Sequence, residues 1–182
     1  MRPRILILVA IAGMFICTWA NEATSAQGEP GVRARGDTFS VPVPKGFSLF
    51  KDERFLRSAP GGIVLVADKR AAPHQFLGSI VVVKMGPSPD FDPSYPPFCK
   101  QMADASAAQT VTALKAHRIV KTSAGNTCQW ELVDKEVPTT GCIGTVMYKT
   151  RNNGWVVTCN FDTRDTQARA ACGEVLAGWT FD

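Results

Sequence analysis

The chain has 182 residues, with 20 Lys and Arg against 16 Asp and Glu, a formal net charge of +4 and 45% hydrophobic residues. The basic residues are scattered along the chain, which argues against the polybasic surface of a nucleic-acid-binding protein or of a protein held at a membrane by charge. With 2 histidines, no Cys-x-x-Cys pair and no nucleotide-binding motif, neither a zinc site nor another cofactor is expected.

The beginning of the chain, 1–26, is predicted to be a secretory signal peptide. Two arginines precede the apolar run 5–19, which is too short for a membrane-spanning helix and is followed by small residues. Cleavage fits after Ala20 or after Ala26, and the second is preferred because a tryptophan is unusual so close to a cut. The alternatives are an uncleaved anchor or a lipid-modified Cys17. Export to the periplasm or the extracellular space is therefore expected.

A flexible leader, 27–36, and a single domain, 37–182, are predicted to follow. Apolar residues alternate through 39–43, which indicates a strand, and the prolines between them favour the edge of a sheet. The apolar run 63–67 is typical of a strand covered on both faces. The run 79–85, rich in valine and isoleucine, predicts a central strand.

Helices and hairpins complete the predicted domain. Apolar residues at helical spacing predict a main helix over 98–116 and a second helix over 166–177. Alternating patterns predict three antiparallel strands at 127–133, 142–148 and 155–161. A short closing strand is expected at 179–181. The predicted fold class is α+β: an antiparallel sheet of about six to seven strands flanked by one long and one short helix, as an α/β/α sandwich.

The loop 86–97 is rich in proline and turn-forming residues and is long for a compact domain, which favours a functional role. Its candidate partner-contact residues are Phe91, Tyr95, Asp90 and Asp92. Rigid aromatic side chains give a large contact area at a small entropic cost. An equally weighted interpretation places Phe91 and Phe98 under the loop as part of the core.

Disulfide bonds are expected among the cysteines that remain after cleavage, which are Cys99, Cys128, Cys142, Cys159 and Cys172. A hairpin turn near Lys135 would place Cys128 opposite Cys142, and this bond is predicted. A second bond, Cys159 to Cys172, would join the last long strand to the second helix. Cys99 is then left as a free thiol, although a bond from Cys99 to Cys128 or to Cys142 is the open alternative.

A free Cys99 at the start of a helix is a candidate nucleophile, because a helix N-terminus lowers the pKa of a thiol. His117 would lie far along the same helix, so only an approach of His74 in the folded chain could supply a base. The chain is therefore not expected to be an enzyme. A small secreted hydrolase or thiol enzyme is the alternative from another class.

The order of elements resembles the PsbP-like superfamily of α/β/α sandwiches, which includes small exported bacterial proteins of the DcrB and PsbP-like kind. The resemblance rests on the opening stretch Phe39–Phe47, with its Pro-x-Gly-aromatic turn, and on the closing stretch Ala177–Phe181. Exported relatives with a cysteine in the last strand and another in the last helix support the bond from Cys159 to Cys172.

What this resemblance implies is an accessory or binding protein of the bacterial envelope that is not catalytic and acts through contact with another protein. An immunity protein or enzyme inhibitor directed against a toxin is the alternative. No functional residue can be carried over, because the superfamily shares a scaffold and not a site. No metal, cofactor, nucleic acid or stable membrane insertion is expected.

Overall fold

A seven-stranded antiparallel sheet forms the centre of the computed structural model, which describes residues 33–36, 38–49, 63–72, 75–86, 91–108, 111–150 and 153–182. The strands are β1 (Arg33–Arg35), β2 (Phe39–Pro42), β3 (Ser48–Leu49), β4 (Ile63–Ala72), β5 (Gln75–Lys84), β6 (Thr112–Thr122), β7 (Gly125–Asp134), β8 (Thr140–Thr150), β9 (Asn153–Asp162) and β10 (Thr180–Phe181). The helices are α1 (Pro96–Ala108) and α2 (Thr166–Ala177). The predicted signal peptide lies outside the described residues.

The main sheet has the strand order β3-β4-β5-β9-β8-β7-β6, so β9 is its middle strand. Five of its neighbouring pairs join consecutive strands of the chain, which are β3 with β4, β4 with β5, β6 with β7, β7 with β8 and β8 with β9. The sixth pair, β5 with β9, connects these two sets. A second sheet of three short strands has the order β1-β2-β10. It brings the beginning of the described chain next to its end.

The two helices cover opposite faces of the main sheet, as the alternation along β9 shows. Trp155, Val157 and Cys159 belong to the core cluster that includes the buried face of α2. Val156, between them, belongs to a second cluster that includes the buried residues of α1. Since successive side chains of a strand point to opposite faces, the helices form the outer layers of an α/β/α arrangement.

The small sheet shares the α2 face of the main sheet. Phe39 of β2 stacks on Trp179, with ring centroids 4.2 Å apart, and meets Trp155 of β9 edge to face at 5.2 Å. All three side chains are almost completely buried. These rings join the two sheets and α2 into one apolar core.

The predicted fold class is confirmed at the level of an α+β chain with two helices and antiparallel sheets. The second helix has the predicted bounds, and its ends are capped. Asp165 accepts hydrogen bonds from the backbone N–H groups of Gln167 and Ala168, and the Gly178 N–H donates to the carbonyl of Glu174. The strand count and the helix lengths differ from the prediction, since the helices have 13 and 12 residues.

The main helix ends much earlier than predicted. It stops at Ala108, and the segment predicted to be its last turn begins β6 instead. Val111, Thr112 and Leu114 fit helical spacing, but the chain from Thr112 pairs along its whole length with β7. Ten paired positions on a neighbouring strand outweigh a weak local helical preference.

The predicted flexible leader and the predicted sheet edge also need correction. Arg33–Arg35, at the end of the supposed leader, forms β1 and pairs with β2. Strand β2 is therefore the middle strand of the small sheet and not an edge. The Arg33 guanidinium donates to the Ser40 hydroxyl and to the carbonyl of Gly178, which fixes this segment to the domain.

Candidate protein-binding edge

The cysteine near the start of α1 is not a free thiol. Cys99 is bonded to Cys128 of β7, with Cα atoms 5.1 Å apart, and Cys142 is the free cysteine among the described residues. The prediction of a bond from Cys128 to Cys142 with a free Cys99 is therefore wrong. The alternative of a bond from Cys99 to Cys128 is the one found.

The register of the hairpin explains the error. Cys142 lies opposite Leu132, because the turn is centred near Val137 and not near Lys135. Asp134 holds this turn by accepting hydrogen bonds from the backbone N–H groups of Glu136 and Val137. Cys128 is therefore displaced from Cys142 by four positions along the strand, roughly 13 Å, which is too far for a disulfide.

The second disulfide is the predicted one. Cys159 of β9 is bonded to Cys172 of α2, with Cα atoms 5.9 Å apart. Both cysteines are buried in the core cluster on the α2 face. Each helix is thus fixed to the main sheet by one disulfide.

The free thiol is poorly suited to nucleophilic chemistry. Cys142 lies on the α1 face of β8, where it packs against the buried cluster of that face. Burial raises the pKa of its thiol to about 12. Because the thiolate is the reactive form, a thiol with such a pKa is almost entirely unreactive near neutral pH.

The predicted partner-contact residues of the loop do not form one exposed surface. Phe91 is buried and packs edge to face against Phe98 and Tyr148, so the core interpretation is the correct one. Tyr95 is 55% exposed. Asp92 is exposed and accepts hydrogen bonds from the backbone N–H and the hydroxyl of Ser94, which stabilises the turn before α1. Asp90 lies outside the described residues.

Strand β6 forms one edge of the main sheet. Strand β6 has 11 residues and pairs with β7, and no other described strand pairs with it. The opposite edge strand, β3, has only 2 residues in its described part. An edge strand presents unpaired backbone N–H and C=O groups along its outer side, and another chain can pair with them.

Basic side chains line this edge. Strand β6 carries Lys115, His117, Arg118 and Lys121, all of them exposed, and has no acidic residue. These four residues are called the basic edge below. Charged side chains on an edge strand disfavour pairing with strands of other proteins in general. A strand of opposite charge is the exception, because its side chains attract those of the edge.

A β-bulge concentrates two of these cations on one face. The register of β6 against β7 shifts between Leu114 and Ala116, so Lys115 is the extra residue. Lys115 is turned toward Glu131 of β7, with Nζ 3.2 Å from the carboxylate. Arg118 lies on the same face and donates to the side-chain oxygen of Gln129 at 3.0 Å. A bulge redirects a side chain in this way.

One acidic side chain ties this face to α2. Glu131 accepts from Lys115 and, at 3.0 Å, from Arg169 of α2. Burial by itself raises the pKa of Glu131, but the hydrogen bond from Lys115 and the charges of Arg169 and Lys115 outweigh it, so that the pKa is lowered. Lys115, Arg118 and Arg169 together carry three positive charges. With the one negative charge of Glu131, the local net charge is +2.

Two other classes of site are not found in the part of the chain that the structure describes. Within these residues, no group of three or more His, Cys, Asp or Glu side chains is placed to hold a metal ion. His117 lies exposed on β6, and His74 falls outside the described residues. Among the same residues, no helix combines the length and apolar character needed to cross a membrane.

Solved structures with the same arrangement of sheet and helices identify the fold. The solution structure of CyanoP, the cyanobacterial PsbP from Synechocystis, superposes with a TM-score of 0.60 over 90% of this chain and 98% of its own, at 9% identity. This chain has the PsbP-like fold. The resemblance suggested by the opening and closing stretches of the sequence is thereby confirmed.

Two further PsbP-like structures are similar to this chain. LpqN, described as involved in cell envelope biogenesis of Mycobacterium tuberculosis, has a TM-score of 0.52 over 87% of this chain and 89% of its own, at 15% identity. The Ran-binding protein Mog1p of Saccharomyces cerevisiae has a TM-score of 0.50 over 82% of this chain and 93% of its own, at 16% identity. At such identities the likeness shows the fold alone.

Searches at the level of sequence found no relatives. No protein-family model matches the chain, and no curated protein matches it. The sequence does not reveal the basic edge, because a helix predicted over 98–116 takes in about half of β6, although 112–122 contains no acidic residue.

Proposed function

We propose that this chain is an exported, non-catalytic accessory protein of the bacterial envelope that binds another protein through the free edge of β6. The single observation that carries the proposal is that edge: a strand of 11 residues with four exposed basic side chains, at the end of the main sheet next to β7. Pairing with a sheet edge is a common way for one protein to bind another, because the backbone groups supply the affinity.

The hairpin behind the edge is well supported. Strand β7 is fixed to α1 by the disulfide from Cys99 to Cys128, and Trp130 and Leu132 of the same strand are buried beneath the helix. The edge is therefore presented in a fixed geometry. A partner that binds a preformed strand does not have to order it, which reduces the entropic cost of association.

Export is supported by two kinds of observation. The described chain holds two disulfides, which persist in oxidising compartments and are rare in the cytosol. The first residues have the layout of a signal peptide. N-terminal sequencing of the protein from its native host tests this part: a mature N-terminus at residue 21 or 27 is expected, and a chain that starts at Met1 contradicts it.

Photo-crosslinking in the native host tests the binding surface. A photoreactive amino acid replaces Ala116, which is exposed on β6, and in a matched control it replaces Ala170, which is exposed on α2. A discrete crosslinked species from position 116 that is absent at position 170 is expected. Equal crosslinking at both positions, or none at position 116, contradicts binding through β6.

An immunity protein or inhibitor is the narrower version of this proposal. A rigid surface whose charge disfavours most proteins is suited to tight binding of a single partner. The crosslinked species distinguishes the two versions when it is identified by mass spectrometry. A secreted toxin or hydrolase indicates the inhibitor, and a resident envelope protein indicates the accessory role.

A further inference from the structure

We propose that the segment bound at β6 is an extended acidic strand that lies against the basic edge as an eighth strand of the main sheet. This inference rests on the function proposed above and adds the chemistry of the partner. It follows from the order of side chains along β6 and from the charge of each face of that strand.

On the α2 side of the sheet, β6 presents cations. Arg118 lies opposite Gln129 on this side, and the bulge brings Lys115 to the same side beside Glu131. Arg169 adds a third cation, 47% exposed, from α2. Helix α2 packs on β9, β2 and β5, and Lys115, Ala116 and Arg118 of β6 are exposed. A carboxylate of an added strand opposite Arg118 would lie within reach of this cluster.

On the α1 side, β6 presents a mixture of apolar and basic groups. Ile119 lies opposite Cys128, and it is half-buried against the cluster beneath α1. His117 and Lys121 flank it on the same side, opposite Trp130 and Asn126. The matching strand would have an apolar residue opposite Ile119. An extended segment in which acidic and apolar residues alternate places all its acidic residues on the α2 side, next to Lys115 and Arg118, and all its apolar residues on the α1 side.

A second copy of β6 is a poor occupant of the same edge. Self-pairing would bring the three Lys and Arg residues of one strand against the same three of another, with no acidic residue on either strand. Like charges placed across a strand pair are destabilising. Charge complementarity thus favours an acidic partner over a second copy of this chain.

Peptide titration followed by NMR tests the proposal on the disulfide-bonded protein. The probe is an eight-residue peptide in which glutamate alternates with valine. The expected result is that the NMR signals of the β6 backbone amides shift and that these amides become protected from exchange. The affinity is expected to fall as the salt concentration rises from about 0.05 M to about 0.5 M.

Two control peptides test charge and backbone pairing separately. A peptide with lysine in place of glutamate is expected to bind at least about tenfold more weakly. A peptide that is N-methylated at every residue cannot donate backbone hydrogen bonds to β6, and it is expected to bind about tenfold more weakly as well.

Charge reversal on the protein supplies the matched comparison. Lys115→Glu combined with Arg118→Glu is expected to weaken binding of the acidic peptide by at least about tenfold. Lys45→Glu combined with Lys84→Glu changes the net charge equally at exposed positions, in the turn before β3 and on β5, and is expected to leave affinity within about twofold. Equal binding of the acidic and basic peptides, shifts confined to residues outside β6, or no binding at all would overturn the proposal.

The outcome also separates this inference from the proposed function. If position 116 crosslinks to a partner in the host but the acidic peptide does not bind, β6 is the binding surface and its partner is not an acidic strand. If the peptide binds at β6 but position 116 captures nothing, the recognition chemistry stands and the proposed role in the host fails.

Discussion

The two faces of the main sheet are covered in different ways. On the α2 face, the helix, the small sheet and β9 share a cluster of 19 buried residues among those the structure describes, with several aromatic rings in contact, so the disulfide adds to an extensive core. On the α1 face, the cluster has 9 buried residues within the same described ranges, of which the helix contributes Cys99, Met102 and Ala103. Helix α2 contributes five residues to its own cluster, including Val175 and Leu176, and a larger buried apolar area stabilises the packing more. Helix α1 therefore depends more on its covalent bond than α2 does.

The α1 face also supports the basic edge. Strand β6 is packed against α1, and the helix is fixed to the neighbouring strand β7 by Cys99–Cys128. The α2 face gives the domain its stability. The α1 face keeps an otherwise weakly covered hairpin in place, as the proposed contact with a partner requires, and the following substitutions test that division.

Removing the disulfide of the α1 face should have the largest effect. It closes a loop with a separation of 29 residues, and Cys99→Ala with Cys128→Ala should lower the free energy of unfolding by roughly 3.5 kcal/mol on the chain-entropy account. Hydrogen exchange of α1 amides should accelerate more than that of α2 amides, because the helix loses its main attachment. Urea unfolding and exchange mass spectrometry measure the two effects. Cys142→Ala, which removes the free thiol of the same face, is the control and should cost less than about 1 kcal/mol.

Removing the disulfide of the α2 face should cost slightly less. Its separation is 13 residues, which corresponds to roughly 3 kcal/mol. Helix α2 should stay docked in the variant Cys159→Ala with Cys172→Ala, because the large core remains. Its amides should then exchange only through global unfolding. Selective early exchange of α2 would show that the two faces do not differ as described.

A methyl group added beneath Trp130 should disturb the α1 face without touching a disulfide. A Cβ at Gly144 would lie 2.2 Å from the indole of Trp130, so the ring must move. Gly144→Ala should destabilise the protein by about 1–3 kcal/mol and alter tryptophan fluorescence. Gly173→Ala on α2, where the added Cβ meets nothing within 4 Å, should instead stabilise it by roughly 0.5–1 kcal/mol. A neutral Gly144→Ala would mean that Trp130 is loosely packed.

The smallest effect should come from the ion pairs that join β7 to α2 and β6. The folded-state pKa of Glu131 is lowered, so its stabilising contribution is complete above the unfolded value of 4.5 and is lost as the pH falls through the folded value. Glu131→Gln should therefore lose less stability than the wild-type protein between about pH 6 and pH 3, by under about 1 kcal/mol. Thermal unfolding across this pH range measures the difference. Parallel curves for the two proteins would show that Glu131 contributes nothing.

The sequence was most informative where contacts are local. The bounds of α2 follow from Asp165 and Gly178, which lie at its ends in the chain. The bond from Cys159 to Cys172 joins a strand to the next helix, so its prediction needs only the order of these two elements.

Elsewhere the deciding information is not local. The start of β6 is set by pairing with β7, because Thr112 lies opposite Asp134. The partner of Cys128 depends on a hairpin register that is fixed by the hydrogen bonds of the Asp134 side chain. A shift of the turn centre by two residues was enough to exchange one disulfide for another. The basic edge depends on the first of these features, because Lys115, His117, Arg118 and Lys121 share one edge strand only when the strand begins at Thr112.

Disulfide mapping of the protein isolated from its native host tests the central claim most directly. After alkylation under denaturing conditions and without reduction, proteolysis should yield one peptide pair linking Cys99 to Cys128 and another linking Cys159 to Cys172, with Cys142 alkylated. That result would establish that each face is fixed covalently and that the hairpin bearing the edge is supported as described. A link from Cys128 to Cys142, or alkylation of all five cysteines, would contradict it.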